Sequence, residues 1–379
     1  MKPRIVRANE GTTKIAPGHM FIGQVLQDQV FVPEDPSRLR ITRVTSPCRN
    51  PTTRAARPTG RKPSTTATTP PPRPEDRPMF ESFERTEIEV PDRGYGPARI
   101  HLRHGGEGPP LLLLHGNPMS HVSWNQMAEQ LAGKFHVIAT DLRGYGDSVG
   151  PEDGGENHIN YSFRAMAQDQ VDVMAHFGYE RFQVAGHDRG ARTVHRMCLD
   201  HPEKIERAAV IDILPSRAIW HDTSKDWALK SWHWVFMAQP YDMPERMMSS
   251  VPARYFMEKK LSKKGLGLKF FGEEAFEEYV RCFTWKTIRG SCEDYRACVT
   301  CDLEMDDADF AAGNKVTCPL LVVWGAKSHT GTVHGDVKKI WVDYASGEIT
   351  GGPLDCGHYV PEEAPRETLD WFDGFFKGA

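Results

Sequence analysis

Beyond residue 78 the chain falls into short apolar or alternating runs set at intervals. They are RTEIEV (85–90), ARIHLRH (98–104), PPLLLLHG (109–116), FHVIATDL (135–142), FQVAGHD (182–188), RAAVIDIL (207–214), PLLVVWG (319–325) and GEITGGPLD (347–355). Most end in turn or polar residues. Several are nearly continuously apolar, the pattern of strands buried on both faces of a parallel sheet. Segments of helical period lie between them, for example SFRAMAQDQVDVMAHFG (162–178) and PEEAPRETLDWFDGFF (361–376). Strands alternating with helices predict a doubly wound, mostly parallel α/β sheet.

The alternation breaks once. From Pro215 to about Gly313 no strand pattern occurs, and Trp, Tyr, Met, Lys and Glu recur at helical spacing. A helical cap at about 216–312 would form a lid, because ligands in open α/β sheets bind beyond the carboxyl ends of the strands. The main domain is then 79–379. Residues 1–78 read as an N-terminal extension. Its stretch 48–78, rich in Thr, Pro and Arg, has too little apolar surface to offset the entropy of ordering and reads as a disordered linker. Upstream, MFIGQVLQDQVFV and RLRITRV alternate weakly, which suggests a small β element. A natural start at Met79 would remove the whole extension.

Composition narrows the class without choosing a function. The chain has 379 residues, 39% of them hydrophobic and 26% charged, and a net charge of −4. These values suit a soluble globular protein and point to no nucleic acid partner. No apolar run approaches the ~20 residues that cross a bilayer, and the N-terminus has no secretory h-region. Eight scattered cysteines read as reduced thiols of a cytoplasmic enzyme. Cys298-x-x-Cys301 lacks a second ligand pair, so it makes no metal site, and His121, His187, His329 and His334 show no metal-ligand spacing.

The chemistry starts at Gly186-His187-Asp188-Arg189-Gly190, where a strand meets a helix. Two glycines permit a sharp turn that lifts the central side chain over the sheet. In many hydrolases that residue is serine; here it is aspartate. The helix N-terminus and the adjacent Arg189 and Arg192 favour its ionised form. The plainer reading is a helix cap. His358, after the last strand, falls where the base of an α/β-hydrolase falls, and Asp212, ending RAAVIDIL, can orient it. The turn at His115-Gly116-Asn117-Pro118 can offer the Asn117 backbone N–H to an oxyanion, paired with that of Arg189.

A carboxylate nucleophile selects the reaction. At a carbonyl it would give a reactive anhydride. At a saturated carbon it displaces a leaving group and leaves an ester on the enzyme, which water activated by His358 then hydrolyses. Carbon–halogen bonds and epoxides are the natural targets. Arg189 and Arg192, three apart on one helical face, fit a substrate carboxylate, each charge-assisted hydrogen bond contributing ~1.5–3 kcal/mol.

Over roughly 79–379 the chain resembles the haloacetate dehalogenases, most closely the fluoroacetate dehalogenases of the α/β-hydrolase fold. The resemblance rests on GHDRGAR (186–192), AVIDILP (209–215), CGHYVPEEAP (356–365), WHWVFMAQP (232–240) and CEDYRA (292–297). It implies that His233, Trp234 and Tyr295 hold the departing halide, that no cofactor takes part, and that a homodimer forms. The other tryptophans of the run, Trp220, Trp227 and Trp232, read as lid core. Asn117 departs from the phenylalanine expected in the fluoroacetate enzymes and bears on halide preference. HGNP is instead typical of haloalkane dehalogenases, but Arg189 stands where their halide-binding Trp would be. The expected reaction is haloacetate plus water to glycolate plus halide. The alternatives are an epoxide hydrolase, against which Arg189 argues, and a non-catalytic binding protein, against which the complete set Asp188, Asp212 and His358 argues.

Overall fold

The structure, a computed structural model, describes residues 79–262 and 267–378, with five short strands upstream. By internal contacts the chain divides into two units, Met1–Thr69 and Pro70–Ala379. The first contains β1 (Arg4–Val6), β2 (Leu26–Gln27), β3 (Val30–Val32), β4 (Arg40–Ile41) and β5 (Val44–Thr45). β3 pairs antiparallel with β1 and β4, and β2 with β5. Four of these strands fall in or at the ends of the two weakly alternating stretches. The Thr/Pro/Arg-rich stretch 48–78 lies outside the described residues.

In the second unit all eight expected strands form: β6 (Glu84–Val90), β7 (Ala98–Gly105), β8 (Pro110–Leu114), β9 (His136–Thr140), β10 (Phe182–His187), β11 (Ile205–Ile211), β12 (Leu320–Gly325) and β13 (Ile349–Leu354). They make one sheet in the order β13-β12-β11-β10-β8-β9-β7-β6. Pairing is parallel from β13 to β9; β7 runs antiparallel to β9, and β6 to β7.

The two-residue repeat of each strand explains the two layers of core. Leu112, Leu114, Ile138, Val184, Val210 and Val322 face one side and pack with Met166, Val173 and Met197. Leu111, Leu113, Val137, Ala185, Ile211 and Val323 face the other, against Met127, Leu131 and Phe372. Burying both faces is what makes these runs read as unbroken apolar stretches. Only the edge strand β6 alternates cleanly, with Ile88 and Val90 buried and Glu87 and Glu89 not.

Among the described residues, eight α-helices and the short 3-10 helix Lys269–Phe271 fill Ser216–Ala312 between β11 and β12, with no β-strand there. The longest, Trp285–Val299, starts at a capping box in which Thr284 and Thr287 satisfy each other's backbone N–H groups. This insertion is tied to the helix Arg189–Asp200. Arg196 Nη2 lies 2.6 Å from Asp306, and its Nη1 lies 2.6 Å from Asp309. It therefore sits over the turn between β10 and that helix.

That turn requires its glycines. A Cβ on Gly186 would lie 2.4 Å from the Gly190 carbonyl carbon, and one on Gly190 would lie 2.4 Å from the Leu114 carbonyl oxygen. The clashing atoms are backbone and cannot swing aside. Gly190→Ala is expected to lower stability by about 1–3 kcal/mol in urea unfolding; an unchanged midpoint would show that the turn is looser than this packing requires.

Candidate active site

Asp188 closes the turn after β10 with φ of 50°, a backbone conformation unfavourable for a residue with a Cβ. It sits at the N-cap position, yet its side chain makes no cap hydrogen bond. The helix-capping reading is therefore set aside. Instead Oδ1 accepts the Asn117 backbone N–H at 2.9 Å, and Oδ2 lies 3.6 Å from His358 Nε2. Burial alone would push this carboxyl upward. His358 first, with Arg189 and the Asn117 N–H, outweighs it and holds the group well below the usual carboxylate range. The Arg189 backbone N–H, the second donor expected of the oxyanion pair, opens the helix directly after Asp188.

His358 Nδ1 lies 2.5 Å from Asp212 Oδ2. With the proton on Nδ1 donated to Asp212, Nε2 is the basic nitrogen facing Asp188. Asp212 follows β11 with φ of 54°. Its Oδ1 accepts from Gly325 N–H at 3.0 Å and Ser328 Oγ at 2.7 Å. Burial raises this carboxyl, but His358 and Ser328 bring it below its ordinary value. His187, pushed down to about 4 by burial and then by His358, donates Nε2–H to the His358 carbonyl at 2.8 Å and stays neutral.

The two arginines are placed differently. Arg189 is fully buried and already paired: Nε lies 2.8 Å from Asp294 Oδ2, and Nη2 bonds both Asp294 Oδ1 and its carbonyl. Its Nη1 has no partner. Arg192 donates Nη1 to the Leu214 carbonyl at 2.9 Å and Ser216 Oγ at 3.0 Å, both neutral. Its Nε is buried without a partner. Burial, then Arg189, draws the Arg192 guanidinium below its ordinary value. A neutral ligand would thus leave the Arg192 guanidinium with neutral hydrogen-bond acceptors alone. The expectation that both arginines are left for a substrate carboxylate is narrowed by Asp294, which already pairs with Arg189.

A cavity of about 90 Å³ is lined by Asn117, Asp188, Arg192, His233, Trp234 and His358, among others. Tyr295 is buried beside it, its ring 5.8 Å from that of His233 and 5.9 Å from that of Trp234. Burial, then Asp188, keeps the Tyr295 phenol protonated far above its ordinary range. Trp234 also packs over the Arg192 guanidinium at 4.5 Å. Trp220 and Trp227 pack edge-on against Trp234, as lid core requires. Trp232 does not: it is 48% exposed and lines the cavity mouth, because its helix Trp232–Met237 turns Trp234 inward instead.

Three partners escaped the sequence reading. Asp294 neutralises Arg189 and accepts the Tyr145 hydroxyl at 2.6 Å. Tyr145 comes from Gly144-Tyr145-Gly146, which reads only as a loop. Lys260 hydrogen-bonds Asn117 Oδ1, while Asn117 Nδ2 reaches Tyr145 Oη at 3.4 Å. Lys259 and Lys260 both line the cavity. Cys298 and Cys301 are free thiols. Among the described residues no helix is long and apolar enough to cross a membrane.

The family profile described as "alpha/beta hydrolase fold" matches residues 109–365. A fluoroacetate dehalogenase from Burkholderia sp is 39% identical over 295 residues, covering 76% of this chain and 92% of the relative. A soluble epoxide hydrolase from Corynebacterium sp. (strain C12) is 31% identical, covering 78% and 98%. The crystal structure of ALR0039 from Nostoc sp PCC 7120 superposes with a TM-score of 0.74 at 45% identity, covering 78% of this chain and 99% of that one.

The depressed Asp188 carboxyl has a consequence for stability. Its contribution is full above the unfolded value near about pH 4 and is lost as pH falls toward the lower folded value. Asp188→Asn lacks that loss, so its thermal midpoint is expected to drop less than that of the wild type between about pH 6 and pH 3. Identical drops would contradict an ionised Asp188.

Proposed function

We propose that this chain, which belongs to the alpha/beta hydrolase fold family, is a hydrolytic dehalogenase of small haloacetates. The observation that carries this reading is Arg192, a buried guanidinium lining the cavity with only neutral acceptors. A ligand carboxylate would supply the missing counter-charge. The Burkholderia relative named for fluoroacetate supports the same class.

In this reading Asp188 Oδ2 attacks the α-carbon from the side opposite the halogen, with Oδ1 steadied by the Asn117 N–H. The carbon–halogen bond breaks as the Asp188 ester forms. Arg192, aided by Arg189 Nη1, holds the substrate carboxylate and so fixes the line of attack. Halide leaves toward His233, Trp234 and Tyr295, whose ring N–H and phenol O–H groups are the donors a developing anion needs. His358 then takes a proton from water. The hydroxide adds to the Asp188 carbonyl carbon and the Asn117 N–H stabilises the oxyanion. On collapse the ester oxygen leaves with the proton of the added hydroxide as the glycolate hydroxyl, Asp188 returns to carboxylate and His358 releases its proton to solvent. Asp212 stabilises the imidazolium that His358 becomes. Lys260, bonded to Asn117, adds positive charge to a pocket meant for an anion. No metal or cofactor is needed for any step.

The epoxide hydrolase reading has the Corynebacterium relative in its favour and shares the same nucleophile, acid and base. Arg192 separates the two, since a neutral epoxide gives it nothing. The deciding assay compares halide release from chloroacetate and chloroacetamide, with diol formation from a neutral epoxide. Chloroacetate is expected to be strongly preferred. Arg192→Leu should lower its kcat/KM about 10²-fold while leaving chloroacetamide little changed. Equal turnover of chloroacetate and chloroacetamide, or epoxide opening in preference to halide release, would overturn the reading.

A further inference from the structure

We propose that His101, His121 and Asp141 form a binding site for a divalent metal ion of the zinc type, separate from the Asp188 cavity. Each comes from a different segment: His101 from β7, His121 from the turn His121–Trp124 after β8, and Asp141 from the residue after β9. They are 2%, 5% and 1% exposed. One ring nitrogen of each histidine and one Asp141 oxygen all lie within 4.8 Å of one another.

Zinc bonds nitrogen and oxygen at ~2.0–2.2 Å in a tetrahedron, which sets ligand atoms ~3.3–3.5 Å apart. His121 Nδ1 and Asp141 Oδ1, at 2.9 Å, already stand near that edge. The His101 and His121 rings meet edge-on; with the ligand atoms within 4.8 Å of one another, a shift of at most about 1.4 Å brings the third corner to that edge length. His101 Nδ1 is buried and has no hydrogen-bond partner, an orphan that a bound ion would satisfy. A fourth donor is at hand in Glu87, whose Oε1 lies 4.0 Å from His101 Nδ1. A surface cavity lined by His101 and His121 gives a route of entry.

The neighbouring His115 does not belong to the set. Its Nδ1 bonds the Gly116 carbonyl at 2.8 Å and its Nε2 accepts the Leu142 N–H at 3.0 Å, so both nitrogens are in use. An ion here would clamp β7 to the loops after β8 and β9, and the first of those loops carries Asn117. The role is structural and does not depend on which substrate the Asp188 cavity takes. The residues sit twenty apart in sequence, a spacing no short metal motif has.

The full chain, stripped with chelator and dialysed, is titrated with ZnCl₂ by calorimetry and with CoCl₂ by visible absorption. One zinc per chain is expected, with a thermal midpoint rise of roughly 5 °C at metal a hundredfold above Kd. His101→Gln and His121→Gln should each weaken binding by ~100-fold or more. Cobalt bound to the wild type should give the strong visible bands of a four-coordinate site, a readout that survives if a variant fails to fold. No binding, binding unchanged in both variants, or only the weak spectrum of six-coordinate cobalt would overturn the proposal.

Discussion

Asp188 has to stay ionised while almost no water reaches it. A buried carboxylate is costly unless fixed charges and N–H groups replace its hydration. Here they are the Asn117 backbone N–H at 2.9 Å, the His358 imidazole and the nearby arginine charge. Much else follows from placing that carboxylate. The turn is too tight for a Cβ at positions 186 and 190, so glycines stand there. β8 must end beside β10 so that Asn117 can face it. β11, β12 and the segment before the last helix must converge to hold Asp212 against His358.

The positive charges around this carboxylate are not equivalent. Arg189 is neutralised by Asp294, which also takes the Tyr145 hydroxyl, so it serves chiefly to lock the helical insertion to the helix Arg189–Asp200. Arg192 sees only a carbonyl and a hydroxyl. Lys260 is set on Asn117 from the insertion. The pocket therefore carries positive charge that its own carboxylates do not cancel at Arg192. Charge balance, more than shape, is what argues for an anionic ligand.

Strands were legible because a parallel sheet buries both faces, leaving apolar runs such as PLLLL that no helix pattern mimics. Asp188, Asp212 and His358 were legible because each stands at a strand end in a fixed chain order. The misses share a cause. Arg189 meets Asp294 across 105 residues, and Lys260 meets Asn117 across 143. Such pairings leave no local pattern, and a lysine at a helix end looks solvated until the insertion folds over. Trp232 was misplaced for a related reason. Trp232 and Trp234, two apart on one short helix, cannot both point inward, and only the tertiary fold decides which does. His101, His121 and Asp141 come together only when β7, β8 and β9 pair.

The account turns on whether Asp188 becomes covalently bonded to substrate. A single turnover of excess enzyme on chloroacetate in ¹⁸O-water, followed by peptide mass analysis, reads this directly. Hydrolysis at the Asp188 carbonyl carbon places label in the peptide containing Asp188 and leaves the first-turnover glycolate hydroxyl unlabelled. Label appearing in the glycolate hydroxyl, with none in that peptide, would mean that water attacks the substrate carbon itself and would contradict the account.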